Sequence, residues 1–520
     1  MSLIDNLQNA TLYDHPVTEF ELIETHISWV LLTGPFVYKI KKPVDFGFLN
    51  FSTLDKRHFY CKEELRLNRR LAADIYTEVV SIHGTEEHPE FNGHGPVIEY
   101  AVKMKQFPQS AQLDRLLVEH GLDNAVMEKL AVKVAEFHMS IDSVSIESVS
   151  GDLEHVQQPV LENFEQILAN INEIAVTPRL NQLERWSKHQ LEALAEVIRQ
   201  RKAQGFVREC HGDMHLRNIA LWNDEVIIFD CIEFNKNLYS IDVISDLAFL
   251  VMDLESRQQV ALAQYFLNRY LEITGDYEGL QLLKFYKVYR AMVRAKVSAL
   301  RAGQEEPGSQ EYNETFKEFL QYITLAEHYI NPSAPCLLIN HGLSGSGKSF
   351  TTNLILEKHP AIKIRSDVER KRLFEIDANV DSTAKIEQGI YNKKATQKTY
   401  ARLLYLAKSL LTAGFSVIID AANLKYEQRI DFIELAKSIH VPYFILDFQA
   451  SVETLTQRVK ERAQHGNDIS DATLDVLRNQ LDNYEQLSDE EKPFAIEIDT
   501  ENDIDVDKIV ERIHASNIKF

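Results

Sequence analysis

The sequence predicts two folded regions of different class. The first is α+β, a small β-rich lobe followed by a larger helical lobe. The second is α/β, built on a doubly wound parallel sheet. Three observations carry this. β-Forming runs cluster near the start and give way to long helical periodicity. After Cys336, short apolar β-branched runs alternate with helical stretches, the pattern of parallel strands covered on both faces. Between the two patterns lies "HYINPSAPCLLIN", where Pro332, Ser333 and Pro335 interrupt any regular element.

In chain order, "FELIE", "SWVLL" and "FVYKIKK" read as strands, with Thr33-Gly34-Pro35 as the turn between the last two. "DKRHFYCKEELRLNRRLA" reads as a helix and "VIEYAVKMKQF" as another strand. From about Ala111 to Gln204 the periodicity is mostly helical, as in "NAVMEKLAVKVAEFHMSI". Helices return after about residue 235 and run to about 330. In the second region "CLLIN", "IKIRSD", "FSVIIDA", "YFILDFQA" and "FAIEIDT" are the strands. A chain of 520 residues exceeds one core. The expected domains are 1–331, with a β-rich lobe to about 107 and a helical lobe from about 108, and 332–520.

Composition excludes several classes. The formal charge of −22 argues against a protein that coats nucleic acid. No run approaches the roughly 18 apolar residues of a membrane span, and the first residues lack the pattern of a signal peptide. The four cysteines, Cys61, Cys210, Cys231 and Cys336, form no C-x-x-C pair. They read as reduced thiols, and the expected location is cytoplasmic.

"GLSGSGKS", Gly342 to Ser349, fits G-x-x-x-x-G-K-[ST] between a strand and a helix. Gly342, Gly345, Ser346 and Gly347 form a loop whose backbone N–H groups can wrap phosphate oxygens. Lys348 would reach the β- and γ-phosphates, and the Ser349 hydroxyl would hold Mg²⁺. Asp420 ends the strand "FSVIID" and is either a second magnesium-side acid or a turn residue. Ala421 follows it where motor ATPases place a glutamate, which favours transfer to an acceptor over hydrolysis. Asp367, with Arg370 one turn on, is a candidate base for a substrate hydroxyl and equally a helix cap. Arg458 and Arg462, at i and i+4, form either a phosphate-clamping lid or a solvated basic face. This half resembles small-molecule P-loop kinases near gluconate kinase and the zeta-type toxins.

"CHGDMHLRNIALW" followed by "VIIFD" places an aspartate, an asparagine five residues on, and an aspartate ending an apolar strand. Phosphoryl transfer needs that set: Asp213 to orient and deprotonate a hydroxyl, Asn218 and Asp230 to hold Mg²⁺ on ATP. The spacing is close to H-R-D-x-x-x-x-N and D-F-G of protein kinases, with Gly212 where those carry arginine. With "ETHISWVLL" and "FVYKIKKPVDFGFLNFSTLDKRHFYCKEELRLNRRLA", it resembles the aminoglycoside phosphotransferase and choline kinase superfamily. The resemblance implies a two-lobed protein-kinase-like fold before the P-loop NTPase domain. It also implies Lys39 on the ATP phosphates, with Glu63 or Glu64 as its partner and Glu64 preferred. Asp246 matches a family aspartate that supports the catalytic loop, or else caps a helix. His211 and His215 lack the H-E-x-x-H pattern of a zinc helix, and His211 is expected to brace its loop.

The combined reading is a bifunctional kinase using ATP and Mg²⁺ on small hydroxylated acceptors, without nucleic-acid or membrane partners. The alternatives are that one half regulates the other by binding nucleotide, or that one acts as a toxin-like kinase on a nucleotide-sugar or partner protein.

Overall fold

The computed structural model describes residues 2–47, 49–171, 175–374, 393–465 and 473–516. They form two compact units. The first comprises Met1–Asp253 with Phe285–Ala326, the second Leu254–Lys284 with Glu327–Phe520.

The first unit begins with a six-stranded antiparallel sheet. Its strands are β1 (Glu21–Glu24), β2 (Ser28–Leu32), β3 (Phe36–Lys41), β4 (Tyr76–Gly84), β5 (Pro89–Phe91) and β6 (Val97–Lys105), in the order β1-β2-β3-β6-β4-β5. The helix Leu54–Ala72 is capped by Thr53, whose hydroxyl accepts from Lys56 N at 3.3 Å. Its buried stripe runs Arg57, Cys61, Glu64, Asn68 and Leu71, at helical spacing. Two small ribbons follow. β7 (Val207–Glu209) pairs with β10 (Ser240–Asp242), and β8 (Ile219–Trp222) pairs with β9 (Glu225–Ile228). The helix Val243–Ser256 starts directly after β10.

The second unit carries a five-stranded parallel sheet. Its strands are β11 (Leu337–His341), β12 (Ile362–Arg365), β13 (Val417–Asp420), β14 (Tyr443–Gln449) and β15 (Ala495–Asp499), in the order β12-β13-β11-β14-β15. Its core packs Leu338, Ile355, Ile418, Leu446 and Ile496.

The second unit's longer segment begins at Glu327, close to the expected boundary at 331, and a second stretch joins it. The stretch Leu254–Lys284, expected in the helical lobe of the first domain, belongs to the second unit. Its helix Val260–Thr274 packs on the helix Lys348–Lys358 and on β12. The physical reason is an edge strand that needs a partner. β12 ends the sheet, and buried Asn268 supplies the missing bonds. Asn268 Nδ2 donates to Ala361 O at 3.0 Å, and Lys363 N donates to Asn268 Oδ1 at 2.7 Å. Asn268→Ala strands one buried N–H and one buried C=O, and is expected to destabilise the second unit by about 2–4 kcal/mol. Urea unfolding of the full chain checks this, with Asn268→Asp, whose carboxylate would be buried against the Ala361 and Gln264 carbonyls, costing at least as much.

All four cysteines are free and buried. Cys336, at the base of β11, has its Sγ 3.4 Å from His359 Nε2, and His359 Nδ1 lies 3.1 Å from His514 Nε2. Burial, then His514, pushes His359 down to about 4. Unfolded, the ring takes its proton near pH 6.5. Below that the unfolded chain binds a proton the folded chain refuses, so stability is full above about pH 6.5 and falls towards pH 4. The expected loss is on the order of 3 kcal/mol at the acid end. His359→Gln should flatten that limb of the urea midpoint against pH.

Candidate active sites

In the first unit, one cluster joins β3, the helix Leu54–Ala72 and the end of β9. Lys39 Nζ lies 2.8 Å from Glu64 Oε1 and 2.6 Å from Asp230 Oδ1. Glu63 instead pairs with Arg66 at 2.8 Å, off the buried stripe. Lys41, two residues along the same face of β3, lies 2.7 Å from Glu64 Oε2 and also bonds Glu233. Burial opposes charge on both carboxyls, yet the two lysines hold Glu64 below its usual range. Glu233 stays above its own, because burial outweighs Lys41 there. Glu64, between two cations, claims the greater share of their field.

The segment Cys210–Trp222 is held from several sides. Asp246 accepts from His211 N and Gly212 N, each at 2.9 Å, and lies 3.3 Å from His138 Nε2. His211 Nε2 meets Phe229 O at 2.9 Å while Nδ1 accepts from Asp213 N at 3.2 Å, so the ring ties this segment to the end of β9. Gly212 has φ +86°, and a Cβ there would stand 2.7 Å from Leu238 O, so an arginine does not fit. Asn218 Nδ2 donates to Asp213 Oδ2 and to Asp213 O, both at 3.0 Å. His215 Nε2 is 3.3 Å from Asp213 Oδ2. Desolvation pushes the Asp213 carboxyl up, but His215, His211 and Arg294 together hold it well below the usual carboxylate range. Asp230 is left-handed, φ 60°, and its N–H donates to Tyr76 OH at 3.1 Å. Asp213, Asn218, Asp230, Lys39 and Glu64 thus belong to one connected site.

In the second unit, a cavity of about 310 Å³ is lined by Gly345, Gly347, Lys348, Ser349, Arg365, Asp367, Arg370, Asp420 and Arg462 among others. The helix Lys348–Lys358 starts straight from the glycine loop. Gly345, φ +84°, packs so close to the helix Val452–His465 that a Cβ would be 3.0 Å from Leu455 O. Lys348 Nζ donates to Gly342 O at 2.9 Å and Leu343 O at 2.7 Å, and burial pushes it down to about 8 against the pull of Asp420 and Asp367. Asp420 takes Ser349 Oγ and Asn340 Nδ2, each at 3.1 Å. Arg365 holds the cap position of the helix Ser366–Leu373, so Asp367 sits inside the first turn. Gly342 and Ser346 lie outside the lining, and Ser346 is buried. Arg458 turns away: it donates to Thr500 O at 2.7 Å, Thr500 Oγ1 at 3.0 Å and Gly345 O at 3.3 Å.

Residues 53–283 match the model of the phosphotransferase enzyme family, and residues 337–487 match a model described as AAA domain. The chain joins a region similar to the phosphotransferase enzyme family to a region similar to AAA domains, which carries the P-loop. The phosphotransferase unit has the two-lobed kinase-like fold, and the P-loop unit has the parallel sheet. Uncharacterised proteins of Mycobacterium tuberculosis and Mycobacterium bovis are 28% identical over 471 residues, 90% of this chain and 91% of theirs. A choline/ethanolamine kinase family protein from Mesorhizobium loti covers 63% of this chain and 95% of its own, at 12% identity and TM-score 0.39. A gluconokinase from Sinorhizobium meliloti covers 36% of this chain and 94% of its own, at 20% identity and TM-score 0.26. No helix among the described residues is long and apolar enough to cross a membrane.

Several site residues of the phosphotransferase unit have no sequence motif. Arg290 donates to Gly212 O at 2.9 Å and to Ser245 O at 3.1 Å, and Asp253 accepts from Leu216 N at 2.9 Å. Lys41 and Glu233 belong with them. In the P-loop unit Asn340 and Arg365 were equally unmarked. The only signal available was two positions apart on a strand for Lys41, and strand-end placement for Asn340 and Arg365.

Proposed function

We propose that each unit transfers the γ-phosphoryl of ATP to a hydroxyl of a small molecule. The observation that carries this for the first unit is Lys39 reaching both Glu64 and Asp230 while Asn218 ties down Asp213, and for the P-loop unit Lys348, Ser349 and Asp420 lining one cavity. In the phosphotransferase unit, Lys39 holds the α- and β-phosphates and Glu64 aims it. Asp213, kept ionised, orients the acceptor hydroxyl and receives its proton. Asn218 uses its amide N–H groups on Asp213, which leaves its amide oxygen, with the Asp230 carboxylate, as hard donors suited to Mg²⁺. In the P-loop unit the Ser349 hydroxyl and Asp420 are an equally hard pair. Bound there, Mg²⁺ would neutralise charge on the phosphates. Backbone N–H groups from Gly345 to Ser349 and the Lys348 ammonium hold the β- and γ-phosphates, Arg462 adds a cation, and Asp367 takes the acceptor proton. The location this activity requires is the cytoplasm, where ATP is supplied.

Radiolabelled [γ-³²P]ATP with pooled small metabolites tests the reading on the full chain, using Lys348→Ala and Asp213→Ala separately. Each variant should lose one set of labelled products and retain the other. Lys348→Ala is expected to lower turnover in the P-loop unit by about 10²–10³-fold, because the phosphate charge loses its buried partner. Unchanged turnover would remove Lys348 from the mechanism.

A further inference from the structure

Around Lys39 the charged groups alternate: Asp230, Lys39, Glu64, Lys41, Glu233. Lys41 is 1% exposed, Glu64 0% and Glu233 5%. A phosphate-binding lysine needs one carboxylate to aim it, and Glu64 already serves. A further buried ion pair carries a desolvation cost and adds little stability by itself. Its place in the chain points to another use. Both ends of the charge series, Asp230 and Glu233, lie on one four-residue segment. That segment is gripped again by Tyr76 OH on Asp230 N and by Asn68 Oδ1, which accepts from Cys231 N at 2.9 Å. The Lys41 ammonium also stands 4.8 Å from the Phe51 ring centroid, which fixes it from the side. When Lys39 serves phosphates and Asp230 serves the metal, their direct 2.6 Å contact must compete with both ligands. The tie between Lys41 and Glu233 uses neither of the groups that would meet those ligands.

We propose that Lys41 and Glu233 are positioning residues that keep the Asp230 segment docked on β3 and Glu64 aimed at Lys39 while nucleotide is bound. This rests on reading the unit as an ATP-dependent phosphotransferase.

The test uses the full chain carrying Lys348→Ala, which weakens the P-loop site, so that differences between this parent and its variants report the phosphotransferase unit. Binding of a non-hydrolysable ATP analogue is measured with and without Mg²⁺, and hydrogen exchange is followed over residues 226–239. Glu233→Gln is expected to weaken Mg²⁺-dependent binding about tenfold and to speed exchange across the Asp230 segment. In a Glu64→Gln background the same substitution should change binding by less than about twofold, because the two act through one chain of contacts. If Glu233→Gln fails to fold, Lys41→Met with Glu233→Leu removes both charges together; it is expected to fold and to bind about tenfold more weakly. Parental affinity in whichever variant folds overturns the proposal, and so do effects of Glu64→Gln and Glu233→Gln that simply multiply. A Lys348→Ala parent that binds no analogue overturns the phosphotransferase reading and this proposal with it.

Discussion

Asp213→Asn, in a full chain whose P-loop unit is silenced by Lys348→Ala, is expected to lower ATP turnover by about 10²–10⁴-fold. The substitution keeps the shape and can keep a contact to Asn218, so the loop that Asp246, Arg290 and His211 hold should stay in place. What is lost is the charge. Asp213 is held ionised by His215, His211 and Arg294 against desolvation, so it is poised to orient a hydroxyl and to accept its proton late in transfer. Lys39 and Asp230, which carry the nucleotide in this reading, are untouched, so affinity for an ATP analogue should remain within about twofold. A fall in kcat with unchanged nucleotide affinity separates a role in transfer from a role in binding. Turnover that survives the substitution would take Asp213 out of the reaction.

What the sequence disclosed follows the range of each interaction. The glycine loop and the Asp213–Asn218–Asp230 set are local: a few residues on one turn, read from spacing and flanking strands. The preference for Glu64 over Glu63 came from the family resemblance; in the structure positions 57, 61, 64, 68 and 71 share the buried helix face and 63 does not. Gly212 could be marked as unusual, but not why: the close approach of Leu238 O is set 26 residues away. Lys41 and Glu233 are 192 residues apart, and Arg290 reaches its partner from 78 residues away. Pairings at such separations leave no periodicity. Residues 254–284 pack with the second unit, although the phosphotransferase-family match runs to residue 283. Their amphipathic helix records that one face is buried, not which core buries it, while the prolines near 332 lie close to Glu327, where the second unit's longer segment begins. Arg458 and Arg462 share a helix face as expected, yet one turn of offset sends Arg462 to the cavity and Arg458 to the Thr500 backbone.

Arg429→Met should produce the largest loss of stability in the P-loop unit, about 3–5 kcal/mol. Arg429 is fully buried and forks onto Glu491, with Nε to Oε1 at 2.6 Å and the second terminal nitrogen to Oε2 at 3.1 Å. Removing the guanidinium leaves Glu491 nearly buried without its cation, and that uncompensated charge is what costs. The remaining terminal nitrogen donates to Asn423 O at 3.0 Å. Asn423 is left-handed, φ 47°, and its amide donates to Asn340 O at 2.6 Å, while Asn340 in turn holds Asp420 Oδ1. Packing and site therefore share one set of contacts. Arg429→Met combined with Glu491→Leu takes both charges away and should recover at least half of the lost stability in urea unfolding. It cannot restore the grip on Asn423, so turnover in the P-loop unit should stay depressed even where stability returns. Full recovery of both would show that Arg429 serves the fold alone, and a single-variant cost below about 1 kcal/mol would show that Glu491 finds water or another partner.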